Sequence, residues 1–90
     1  MSTVRIPSAM RAATGGAKDI EISGATLREV IDGLVAAHPV LGAQLLDVNG
    51  QLNRFVNVFV NDTDARYLDA LDTVVGAADR VLLLPAMSGG

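Results

Sequence analysis

Apolar and polar residues alternate along Thr3-Val4-Arg5-Ile6-Pro7, placing Val4 and Ile6 on one face. A period of two predicts a strand, and Pro7 ends it. Asp19-Ile20-Glu21-Ile22-Ser23 repeats the alternation, with Ile20 and Ile22 inward. Thr14-Gly15-Gly16 between them is turn chemistry, so the two strands are expected to form an amino-terminal hairpin closed by a long loop. The period then changes. Leu27, Val30, Ile31, Leu34 and Val35 make an apolar stripe at helical spacing. Thr26 and Glu29 supply a capping box at its start: the Thr26 hydroxyl accepts from the Glu29 amide, and the Glu29 carboxylate reaches back. His38-Pro39 ends the helix, because a residue before proline avoids the α region. Val40 to Asp47 has room for a second short helix, and Asn49-Gly50 is a turn.

Phe55-Val56-Asn57-Val58-Phe59-Val60 is apolar on both faces, as expected of a central strand. Asn61 to Asp64 is read as a turn, Ala65-Arg66-Tyr67 as a short edge strand, and Arg80 to Leu84 as the final strand. Leu68 to Asp79 carries helix and turn signals without a clear period. This order predicts an α+β fold: one main helix across one face of a mixed sheet of four to five strands, with the final strand central, beside the first. A single helix cannot cover both faces. If Val56, Val58, Val60, Val81 and Leu83 face it, then Phe55, Phe59, Leu82 and Leu84 lie on the open face. Phe59, Leu82 and Leu84 are then an exposed apolar patch suited to a protein partner.

The 90 residues suffice for one domain, here 1–85, followed by a flexible tail, 86–90. Half the residues are hydrophobic and 19% are charged, which excludes a disordered, highly charged chain. No apolar run reaches the roughly 18 residues of a membrane span, and the start lacks a secretory apolar segment; a cytoplasmic location is expected. The net charge of −3 and the scattered seven basic residues argue against nucleic acid. There is no cysteine and one histidine, His38, so disulfides, thiolate metal sites, a cysteine nucleophile and a multi-histidine zinc site are all excluded. Gly15-Gly16-Ala17-Lys18 lacks the spacing of a phosphate loop. Asp62-Thr63-Asp64 lacks the remaining ligands of a calcium loop. Glu29 has a capping task, Asp32 points to water, and Ser8, Thr14 and Ser88 have no base nearby. No catalytic or metal site emerges.

What remains is the end, Gly89-Gly90. Glycine has no Cβ, so such an end can thread a narrow channel and offers a carbonyl open from either side. Ala86 to Gly90 would reach about 17 Å when extended. The hairpin, the capped helix, Phe55 to Asp62, and Asp79-Arg80-Val81-Leu82-Leu83-Leu84-Pro85-Ala86-Met87-Ser88-Gly89-Gly90 together resemble the MoaD/ThiS family of ubiquitin-like sulfur carriers, over essentially the whole chain. Ile6-Pro7, Met10-Arg11, Thr14-Gly15-Gly16, Leu52 to Asn57 and Val60-Asn61-Asp62 are most similar to its CysO-type branch, which serves an actinobacterial cysteine pathway.

The resemblance implies a β-grasp fold and a protein co-substrate that is not itself an enzyme. A ubiquitin-activating-type enzyme would spend ATP to adenylate the Gly90 carboxylate, and a sulfide source would displace AMP to leave a thiocarboxylate. A pyridoxal-phosphate cysteine synthase would use that sulfur, and a metallopeptidase would release the product. It implies no cofactor bound to the carrier itself, Gly90 as the reacting residue and Gly89 as its unhindered neighbour. Phe59, Leu82, Leu84, Pro85, Met87 and Ser88 would meet the partner. The alternatives are the small subunit of a molybdopterin synthase, a protein modifier joined through Gly90, and a plain binding module.

Overall fold

The computed structural model describes residues 1–85. The expected tail, with Met87, Ser88, Gly89 and Gly90, lies outside the described residues.

Five strands form one sheet: β1 (Ser2–Arg5), β2 (Asp19–Ile22), β3 (Val56–Val60), β4 (Thr63–Asp64) and β5 (Arg80–Pro85), in the order β2-β1-β5-β3-β4. β5 runs parallel to β1, with Val4 opposite Val81, and antiparallel to β3, with Val58 opposite Leu83. The other pairs are antiparallel, so the sheet is mixed, and the last strand is central beside the first, as expected. Helix α1 (Leu27–Ala37) crosses one face, and the short α2 (Val40–Leu45) follows it. This is the β-grasp architecture.

One core forms between helix and sheet. Leu27, Val30, Ile31 and Leu34 of α1 meet Val4, Val56, Val58, Val60, Val81 and Leu83 of the sheet, with Leu41 and Leu45 of α2 closing one side. The helical stripe is thus the buried one; Val35, Ile20 and Ile22 pack against it only half-buried. The Glu29 amide donates to the Thr26 hydroxyl at 3.3 Å, as the capping box requires. The Glu29 carboxylate, however, receives the Thr26 hydroxyl proton at 3.4 Å rather than the Thr26 amide. The backbone about the cap is tied elsewhere: Leu27 N donates to Thr73 O and Val75 N to Ala25 O, at 2.8 and 3.0 Å.

Two expectations are corrected. Residues Ala65–Tyr67 are a 3-10 turn, and the edge strand is Thr63–Asp64. The cause is Asp64, whose carboxylate accepts from the Arg66 amide at 2.8 Å and so caps the turn and ends the strand. The long loop of the hairpin also has structure: Ser8–Thr14 is a 3-10 helix that buries Met10. Thr14 holds its end, its hydroxyl bonding Arg11 O and Ala17 O at 3.1 and 3.0 Å. Gly15 at φ +68° then reverses the chain.

Gly24, between β2 and α1, lies hard against the start of the helix. A Cβ there would lie 2.9 Å from the Val30 backbone nitrogen and 3.0 Å from the Glu29 Cβ. Backbone cannot yield as a side chain can, so Gly24→Ala is expected to lower stability by about 1–3 kcal/mol. Urea denaturation checks this; an unchanged midpoint would mean that the helix start moves freely.

Candidate functional site

The candidate site is the sheet face that α1 leaves open. Directly paired residues in neighbouring strands share a face, so the register alone assembles it. Arg5 is opposite Leu82, Leu82 is opposite Phe59, and Phe59 is opposite Asp64. One step further along β5, Leu84 is opposite Asn57. Val81 and Leu83 point the other way and are fully buried, whereas Leu82 is half-buried and Leu84 is 40% exposed. Phe59, Leu82 and Leu84 therefore share the open face, with Phe59 and Leu82 half-buried and Leu84 exposed.

Phe55, expected on this face, and Pro85, expected to meet the partner, both sit elsewhere. Phe55 precedes β3 rather than belonging to it, because its amide donates to the Asn53 side chain at 3.0 Å in a local turn. Its ring is 54% exposed, carries the Arg54 guanidinium 5.0 Å from its centre, and lines a shallow groove with Leu46, Val48 and Leu52. Pro85 pairs with Val56, a buried residue, and so takes the helix side of the sheet. With no amide hydrogen, it closes the ladder.

Charged groups frame the patch. Arg5 pairs with Asp19 at 3.6 Å, and Arg66 approaches Asp64 at 3.9 Å. Both pairs are solvated and worth little as stability. Arg66 does more. It donates through Nη1 to Asn57 Oδ1 and through Nη2 to the carbonyls of Val56 and Asn53, at 3.0 and 3.2 Å. The Asp64 cap turns Arg66 back toward β3. For Asn57 and Arg66 the one cue in the sequence is a basic residue two positions after the Asn61–Asp64 turn.

Beyond the other end of β5, Asn61 takes φ +57°, and its side chain accepts from Arg80 N at 3.1 Å and donates to Asp79 at 3.1 Å. The second Asp79 oxygen accepts from Gly76 N at 2.7 Å. The Gly76 amide, and after it the Asn61 side chain, hold the Asp79 carboxyl below the usual carboxylate range. Asp79 stays ionised and fixes the entry into β5.

Among the described residues, no cluster of three or more histidine, cysteine, aspartate or glutamate side chains could hold a metal ion. Asp64 is committed to its turn, and the backbone of His38 serves as the α1 cap through Leu34 O. No helix of the described residues is long and apolar enough to cross a membrane. The open face ends at Leu84, two positions before residue 86.

The same arrangement recurs in known proteins. Residues 4–90 match the ThiS family. The chain is 43% identical over 90 residues to the sulfur carrier protein CysO of Mycobacterium tuberculosis, covering 98% of this chain and 97% of that protein. A chain of the Amycolatopsis orientalis BexX/CysO complex superposes with a TM-score of 0.92 at 41% identity, covering 100% of both chains. The small archaeal modifier protein 1 of Haloferax volcanii is 35% identical over 72 residues, 79% of this chain and 78% of that one. The chain belongs to the ThiS family of ubiquitin-like sulfur carriers and is a CysO-like member of it.

Proposed function

We propose that this carrier bears its sulfur as a thiocarboxylate on Gly90 and delivers it for cysteine synthesis in the cytoplasm. The observation that carries this reading is the near-full-length likeness to CysO in a chain that has no cysteine. With no thiol available, sulfur is held at the carboxyl end. A carboxylate is a poor electrophile, so a ubiquitin-activating-type partner first transfers AMP from ATP to it and releases pyrophosphate. Sulfide then attacks the acyl carbon, and AMP departs. Gly89 and Gly90 leave that carbon unhindered. The activated carrier passes to a pyridoxal-phosphate cysteine synthase, and a metallopeptidase frees the product. The ATP, the sulfide source and the pyridoxal phosphate all belong to the partners. Phe59, Leu82 and Leu84 dock the adenylating enzyme, while Pro85, Met87 and Ser88 lead the chain into its channel. That the Amycolatopsis orientalis relative is seen in a complex, BexX/CysO, supports a docking role.

A second reading has one observation in its favour, the likeness to a small archaeal modifier protein. There the activated Gly90 would acylate lysines of other proteins.

Intact mass spectrometry after incubation with ATP, a sulfide source and a lysate of the native organism separates the readings. An oxygen-to-sulfur increment on the Gly90 peptide is the expected result; higher-mass conjugates through Gly90 would favour the modifier. Deletion of Gly90 is expected to abolish sulfur loading and leave the unfolding midpoint unchanged. A truncated chain that still accepts sulfur would exclude a terminal carrier site.

Leu82→Glu places a carboxylate beside its cross-strand neighbour Arg5, so the fold should tolerate it. Affinity for the adenylating enzyme is expected to fall at least tenfold, a loss of about 1.4 kcal/mol or more. Titration calorimetry beside thermal melting checks this. Equal affinity, or loss of folding, would place Leu82 outside the interface.

A further inference from the structure

We infer that Asn57 and Arg66 form a built recognition pair on the open face, in which Arg66 positions the Asn57 amide to donate to a carbonyl or carboxylate oxygen of the adenylating enzyme. This rests on the carrier reading above and names a specific contact within it.

The orientation of Asn57 follows from chemistry. A guanidinium has only donors, so the Asn57 atom that faces Arg66 Nη1 must be the amide oxygen. The Nδ2 donors are then directed away from Arg66, and among the described residues they have no protein acceptor. Asn57 is half-buried and pairs with Leu84, the most exposed member of the apolar patch. A fixed donor beside an exposed leucine, at the last row of the open face before residue 86, lies where an enzyme gripping the tail must close. The complementary group on that enzyme is an acceptor.

Arg66 has little left to offer a partner directly. Both Nη2 hydrogens are committed to the carbonyls of Val56 and Asn53, Nη1 bonds Asn57, and Asp64 lies close by. Its part is positional. β4 has only two residues, Thr63–Asp64, so it pairs with Phe59 and Val60 and leaves the start of β3 without a strand neighbour. The Arg66 side chain fills that place. It occupies the Val56 carbonyl on the outer edge, while the other edge of β3 pairs with β5. The same guanidinium therefore holds the strand that flanks the tail root and turns the amide outward.

Two substitutions test this against a recombinant ubiquitin-activating-type enzyme of the same organism, with carrier-dependent ATP–pyrophosphate exchange as the readout. Asn57→Asp keeps an acceptor for Arg66, so folding is retained, but replaces the outward donor with an acceptor. The KM for the carrier is expected to rise about tenfold with kcat nearly unchanged. Arg66→Lys supplies one ammonium where three oxygens were held, and a rise of about threefold is expected, with a lower melting temperature. The side-chain amide protons of Asn57 give an enzyme-free signal. Nitrogen relaxation at Nδ2 should show a rigid side-chain amide in the parent and a mobile one in Arg66→Lys. A parent carrier that supports no exchange would remove the carrier reading itself. Normal exchange by the parent with unchanged KM in Asn57→Asp, or an Asn57 amide equally rigid in Arg66→Lys, would overturn the recognition pair alone.

Discussion

Everything in this fold depends on the pairing of β5 with two strands that come much earlier in the chain. Val81 and Leu83 are fully buried between β1 and β3 and under α1. Until the last segment enters, β1 and β3 have no common neighbour, and the sheet is two separate pieces. The contacts that complete the structure are therefore among its least local, which is entropically costly to close and slow to form. In return, Val81 and Leu82 are paired on both edges, and, among the described residues, Leu83 to Pro85 are held by β3 alone.

The second constraint is that one helix has two sheet faces to choose between. α1 takes the face carrying Val4, Val56, Val58, Val60, Val81 and Leu83, and burial drives that choice. The face left over needs side chains that tolerate water. It has Phe59, Leu82 and Leu84 surrounded by Arg5, Asp19, Asp64 and Arg66, with the charges paired among themselves. Internal pairing keeps the rim close to neutral, so the apolar centre is presented without a strong field of one sign.

Much of this was legible in the sequence because β1, β2, α1 and β5 have clean periods and definite ends: Pro7, Thr26 with Glu29, and His38-Pro39. The patch was legible too, since alternation in β5 forces Leu82 and Leu84 opposite to Val81 and Leu83. Where reading failed, the deciding interaction was a single side chain acting on backbone. Asp64 ends β4 by capping the turn of Arg66, and nothing in Thr63-Asp64-Ala65-Arg66-Tyr67 marks which half is extended. The side chain of Asn53 pulls Phe55 out of an apolar run that continues unbroken into β3. Leu71, Thr73 and Val75 are buried in alternation, but a threonine in the middle hides the period. The reach of Arg66 to Asn53, Val56 and Asn57 spans 9 to 13 positions and follows only from the tertiary path.

The failures decided by Asn53 and Asp64 share a location. Asn53, Phe55, Asn57, Asp64 and Arg66 all gather along β3 and the edge beside it, where β4 is too short to pair the whole strand. A longer β4 would satisfy the edge with backbone alone and would need no arginine. It would also extend the sheet edge and leave Asn57 without its fixed orientation. The short strand thus trades regular pairing for a side-chain clamp, and the clamp sets donors and apolar surface together at the root of the tail. Local rules are broken beside the face proposed for docking, which is where a fold under functional constraint is expected to break them.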